Sequence, residues 1–289
     1  MSFAIATDAA CDLPHAFLTA NNIVWLPLAY GIGDKQFRST LDQSDSLFLL
    51  EQMASGAKTY TVQASFEEYL ELWAPIAEQG QDIVHISLSS KLSNTYHSAC
   101  QAKDAFCEKY PDIKLYCIDS LGACTGQGLL VLAAQHLRDE GKSASETAQW
   151  LEDYKLKVQH WFSPSDLAYL KKGGRISSSQ ALFGSMLDVK PIMNINREGK
   201  LVSTQKIKGR KNALATLAQI TQSQIMTPES QTIYVTHAGC PEDAQHLAEM
   251  VQSRLPMVRT EILSLGPIIT VHTGPGLIAI FFWGKERES

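Results

Sequence analysis

The sequence predicts two packed units of the α/β class. Residues 1–160 read as an N-terminal, mostly parallel α/β/α sheet domain, and residues 161–289 as a C-terminal α+β domain. Three observations carry the prediction. Up to about residue 160, strand-length apolar runs alternate with segments whose apolar residues recur at three- and four-residue spacing, as crossover helices on both faces of a parallel sheet require. Beyond that point the alternation gives way to a hairpin and a mixture of strands and helices. The 289 residues, 45% hydrophobic and 19% charged, suffice for two ordinary cores.

Residues 3–7, "FAIAT", read as a buried first strand ended by Asp8 and the turn-prone "CDLP". Pro14 suits the first position of a helix, "PHAFLTANN". "IVWLPLAY" (23–30) reads as a second strand, with helices around 43–54 and 65–79. "DIVHISL" (82–88) is a strand, 94–109 a helix and "IKLYCID" (113–119) a strand, followed by long helices over about 125–141 and 144–158. In the second half, "SPSDLAYLKKGGRISSSQALFGSMLDVKPIMNI" predicts two short helices around a Gly turn, then a strand that "NREG" reverses into "KLVSTQKIK". Helices at about 210–226 and 242–254 flank the strand "TIYVTHA" (232–238), and "RTEILSL", "PIITVH" and "GLIAIFFW" supply the remaining strands.

Composition excludes several function classes. The longest apolar stretches, "GLLVLAAQHL" and "GLIAIFFWG", fall short of the roughly 20 residues of a membrane span, so no integral membrane segment is expected. The start "MSFAIATDAACDLP" has no basic n-region, so a cytoplasmic location is expected. Twenty-five basic and 30 acidic residues give a net charge of −5, which weighs against nucleic acid as a partner. Cys11, Cys100, Cys107, Cys117, Cys124 and Cys240 show no CxxC or His–Cys spacing, so neither a metal site nor a disulfide framework is expected.

Two segments draw attention. "SLSSKLSNTYHSA" (87–99) gathers six Ser/Thr hydroxyls where a parallel strand runs into a helix, and helix capping explains only one or two of them. Ligands of open α/β sheets bind at such carboxyl ends, and neutral hydroxyls suit a small anion that must later be released. "LGPIITVHTGPG" (265–276) places His272 and Thr273 beside Gly274 and Gly276, where backbone can approach a ligand closely. "KKGGR" and "KIKGRK" hold seven of the 25 basic residues, with Arg175 beside an apolar, amphipathic segment. No GxSxG, HExxH, Walker lysine loop or GxGxxG is present, "TGQGLL" has the wrong spacing for a phosphate loop, and no acid is placed to complete a triad with Ser93 and His272. No catalytic residue and no cofactor is therefore expected.

Together these segments resemble the DegV family of bacterial fatty-acid-binding proteins along nearly the whole chain. "IATDAACDLP" resembles the family's opening strand and turn, with Ala9 where a Ser is common; "TVQAS" (61–65) resembles Thr-Ser-Gln-Pro-Ser, with Val62 and Ala64 as departures. "SSKLSNTY" (89–96) matches the family's serine-rich strand end with Asn94 replacing a Gly, and "CIDS", "DLAYLKKGGRIS", "LDVKPIM" and "VHTGPG" match in order. The resemblance implies one long-chain fatty acid held between the two domains, the first supplying the carboxylate site and the second the acyl pocket and a basic surface. It implies Thr61, Ser93 and His272 as carboxylate ligands, and the hydroxyl of Thr273, read from "VHTGPG" itself, is a further expected ligand-binding group. It also implies a separate ATP-dependent fatty acid kinase subunit that makes the acyl-phosphate, contacted by Arg175 and, at the family's second basic position, Lys208. A non-enzymatic lipid carrier in phospholipid metabolism is the leading expectation; a free-standing hydrolase using Ser93 and a lipid-responsive regulatory protein are the alternatives.

Overall fold

The computed structural model describes residues 3–177 and 188–288. Strand β1 (Ala4–Asp8) pairs in parallel with β2 (Ile23–Leu26), with helix α1 (His15–Ala20) as the crossover. The expected second strand is longer than the one observed. Pro27, which has no N–H to give a ladder, separates β2 from β3 (Ala29–Ile32), and β3 joins β4 (Lys35–Arg38) and β5 (Thr59–Val62) in an antiparallel sheet of its own. Helix α2 (Gln43–Ala54) precedes β5, and α3 (Phe66–Ala77) follows it. Ser65, within the "TVQAS" segment, caps α3: its hydroxyl accepts from the Glu68 N–H and Glu68 accepts from the Ser65 N–H. Strands β6 (Ile83–Ser87) and β7 (Leu115–Asp119), joined by helix α4 (Thr95–Lys109), complete a four-stranded parallel sheet in the order β2-β1-β6-β7.

Helix α5 (Cys124–Asp139) then runs between this sheet and the next. Its first two turns are buried on every side, which explains the "TGQG" glycines. A Cβ on Gly126 would lie 2.0 Å from the His160 ring, and one on Gly128 would lie 2.8 Å from the Cys11 carbonyl. These glycines serve close helix–sheet packing. Helix α6 (Ala144–Tyr154) ends four residues earlier than expected, and β8 (Val158–Ser163) begins where a helix was still predicted.

Strand β8 enters a six-stranded sheet of order β10-β9-β8-β13-β11-β12. Helix α7 (Ala168–Lys172) follows it; then come β9 (Val189–Ile195), the turn 196–199 and β10 (Leu201–Lys208), as the "NREG" turn predicted. The second short helix expected before β9 falls outside the described residues. Helices α8 (Arg210–Gln224) and α9 (Pro241–Arg254) flank β11 (Thr232–His237), which pairs in parallel with β12 (Arg259–Ser264).

"PIITVH" is a correction: it forms helix α10 (Pro267–Thr273), not a strand. Its β-branched residues favour a strand locally, but Pro267 occupies the first turn and tertiary packing overrides the propensity. Gly274 ends it at φ +75°, where a Cβ would lie 2.3 Å from the Tyr169 ring. Strand β13 (Ile278–Trp283) returns to pair with β8 and β11. Trp161, Ile278, Ile280 and Phe282 pack under α8 and α9, while Phe162, Ala279 and Phe281 turn to the opposite face, toward α5 and the N-terminal sheet. Among the described residues no helix is long and apolar enough to cross a membrane.

Candidate ligand-binding site

On that opposite face lies a cavity of about 260 Å³, lined by the six-stranded sheet, by Thr61 and Val62 of β5, by the segments that follow β6 and β7, and by α10. Leu277, Ala279 and Phe281 from β13, with His160 and Phe162 from β8, form its floor; Leu88, Leu92 and Ile268 are among the residues that line the rest. Among the described residues, none lining it is an Asp or Glu.

Two hydrogen-bonded polar pairs lie in this lining. Thr61, paired with Tyr30 on the small sheet, brings its Oγ1 to 2.8 Å from His272 Nε2, although 211 residues separate them. His272 sits in the last turn of α10, and its Nδ1 faces Gly173, where a Cβ would lie only 2.5 Å away. Burial, reinforced by the nearby Arg175 charge, pushes the imidazole down to about 4, so the ring is neutral at neutral pH. Ser93 lies in the turn before α4, with its Oγ 2.8 Å from Thr95 Oγ1, and it accepts from the Thr95 N–H at 3.2 Å. Asn94, which the resemblance places at a Gly position, is the helix N-cap but makes no side-chain capping bond.

The structure brings Thr61, Ser93, His272, Thr273 and Arg175 together around one cavity. Their roles differ. The Thr273 hydroxyl donates to the Ile269 carbonyl at 3.0 Å, within its own helix. Arg175 is half-buried and turned inward, donating from Nε to the Leu92 carbonyl at 2.9 Å and from Nη1 to the Gly173 carbonyl. Lys208 does not join them: it ends β10, is exposed, and does not line the cavity.

The hydroxyl-rich segment divides in the same way. Ser87 donates to Asp8, Ser89 to the Gly199 carbonyl, and Ser98 accepts from Gln63. Of its six hydroxyl residues, only Ser93 and Thr95 line the cavity. Ile268 and Ile269 of α10 add apolar lining, whereas most of the amphipathic segment after Arg175 falls outside the described residues. A Ser–His nucleophile is not assembled, because Ser93 pairs with Thr95 and His272 pairs with Thr61.

Sequence reading missed the β8 contribution, His160 and Phe162. The signal was there in "VQHWFS": its odd-even alternation sends Phe162 to one core and Trp161 to the other. The His160 Nδ1 lies 3.1 Å from the Val158 carbonyl, and burial holds the ring neutral.

Comparison with known proteins now bears on this geometry. A family model described as an uncharacterised protein of the DegV family matches residues 2–285. The chain belongs to the DegV family. A DegV domain-containing protein of Clostridium perfringens is 37% identical over 287 residues, 99% of each chain. The crystal structure of DegV from Bacillus subtilis, described as a fatty acid binding protein, is 28% identical, with a TM-score of 0.85 over 99% of this chain and 100% of that one. The fatty acid kinase (Fak) B3 protein of Streptococcus pneumoniae, solved loaded with linoleic acid, has a TM-score of 0.86 over 99% of this chain and 100% of that one; at 22% identity it shows a shared fold.

Proposed function

We propose that this DegV protein binds a single long-chain fatty acid in the cavity, with its carboxylate at the Thr61–His272 and Ser93–Thr95 pairs. The observation that carries the reading is a largely apolar cavity whose lining holds two hydrogen-bonded polar pairs, hydroxyls and a neutral His, and, among the described residues, no acid of its own. A buried carboxylate needs donors in place of its water, and hydroxyls whose side-chain partners are only one another or an imidazole can be re-aimed at it. An acyl chain would contribute about 0.8 kcal/mol per buried methylene, leaving the head group to set register.

The protein itself then performs no chemistry. It presents the carboxylate to a separate ATP-dependent kinase, whose reaction joins a carboxylate oxygen to the terminal phosphorus of ATP as the bond to ADP breaks. Arg175, with two of its five donors spent on carbonyls, and the exposed Lys208 are the proposed contacts to that partner or to the transferred phosphate. In this reading residues 1–160 supply most of the head-group donors and residues 161–289 the acyl floor, and the carrier works in the cytoplasm. Denaturing mass spectrometry of an organic extract of the purified protein, against a mock purification, tests it. A stoichiometric fatty acid is expected, and an extract that stays empty after incubation with oleate would overturn the reading.

A further inference from the structure

The turn that carries Ser93 is tied down at its start. The Leu92 and Ser93 N–H groups both donate to the Ser89 carbonyl, at 3.0 and 3.1 Å. The Ser89 hydroxyl donates to the Gly199 carbonyl at 2.9 Å, and the Ser90 N–H donates to Asp119 at 3.1 Å. Its far end has a different anchor. The carbonyl immediately before Ser93, that of Leu92, accepts from Arg175 Nε at 2.9 Å, while Arg175 Nη1 holds the carbonyl of Gly173, the residue against which His272 packs. One half-buried side chain therefore ties the Ser93 turn to the Gly173 loop, against which His272 packs. A planar fork can hold two carbonyls on separate segments at once, whereas a lysine presents a single point charge.

We infer that Arg175 is a positioning residue for the ligand head group, bracing the Leu92–Ser93 peptide against Gly173 so that Ser93 faces the Thr61–His272 pair. This role is separate from any contact with a kinase or phosphate, and it rests on the reading of the cavity as a carboxylate site.

A double-mutant cycle tests it, with oleate as the ligand and Arg175→Gln, Ser93→Ala and the double variant compared with the unaltered protein. Arg175→Gln should weaken binding about three- to fivefold, no more than Ser93→Ala does, because the brace acts only through the Ser93 contact. The double variant should bind no worse than the weaker single variant, because Arg175 acts through Ser93. Arg175→Lys should bind as weakly as Arg175→Gln, since charge without the fork does not brace. Fully additive losses, or full rescue by Lys, would overturn the inference in favour of simple charge attraction. Amide exchange at Leu92–Thr95 gives an independent measurement. It should accelerate in Arg175→Gln while exchange in β1 and β6 stays unchanged, and unchanged exchange at the turn would also overturn the brace. Failure of the unaltered protein to bind oleate would sink the fatty-acid reading alone, and the exchange measurement would still decide the brace.

Discussion

The parallel sheet ends in two polar clusters that look alike in sequence and differ in chemistry. At the end of β1, Asp8 is a fully buried carboxylate that accepts from the Ala10 and Leu88 N–H groups at 3.0 Å, from Gln127 at 3.1 Å and from Ser87 at 3.3 Å. Burial still outweighs these donors and raises its pKa. A few residues away, the cavity lining offers Thr61, Ser93, Thr95 and His272, which are paired with one another and have no carboxylate among them. The first cluster is saturated from within and builds the fold. In the proposed reading, the second is completed by an acid from outside. What separates a structural hydroxyl from a binding one is whether the protein supplies the anion.

The hardest test of that contrast is Asp8→Ala. Removing the internal carboxylate strands the Ala10, Leu88 and Ser87 donors, while Gln127 keeps Thr7 and the Ile86 carbonyl, and urea unfolding should show a loss of about 3 kcal/mol. A loss below about 0.5 kcal/mol would mean that the first cluster is not structural. At the second cluster, Ser93→Ala and Thr61→Ala should each weaken oleate binding about fivefold, for a loss of about 1 kcal/mol, with the melting temperature unchanged. The reverse pattern, lower melting with unchanged affinity, would erase the distinction between the two ends.

The pH dependence refines the contrast further. His272 sits at about 4 when folded and near its ordinary value of about 6.5 when unfolded, so the unfolded chain binds the extra proton between these values. Its contribution to stability is therefore present above pH ~6.5 and lost as pH falls toward ~4. A bound carboxylate should pull the imidazole back up. Oleate binding at about pH 5.5 should then take up a proton, read as a dependence of the calorimetric enthalpy on the buffer's ionisation heat and lost in His272→Gln. Equal enthalpies in all buffers would place the carboxylate away from His272. The smallest expected effect is that of Lys208→Gln, which should leave oleate affinity unchanged because Lys208 is exposed and off the cavity. A loss there would extend the binding site to the end of β10.

Much of this was legible in the chain itself. Apolar periodicity marked nearly every helix and most strands, and "NREG" announced the β9–β10 hairpin. It failed where a local signal was ambiguous. "IVWLPLAY" read as one strand although Pro27 divides it between two sheets, and "PIITVH" read as a strand although packing makes it a helix. The ordered motifs pointed to the family and singled out Thr61, Ser93, His272, Thr273 and Arg175, all of which line one cavity.

Only the tertiary structure decided how those residues are used. Periodicity is a property of neighbours along the chain, so the sequence by itself determined most of the elements and which face of each is apolar. Hydrogen-bond partners are set by packing between segments far apart. That is why the structure alone shows Thr61 meeting His272 across 211 residues, four of the six hydroxyl residues of 87–99 away from the cavity, and Arg175 turned inward to the Leu92 carbonyl.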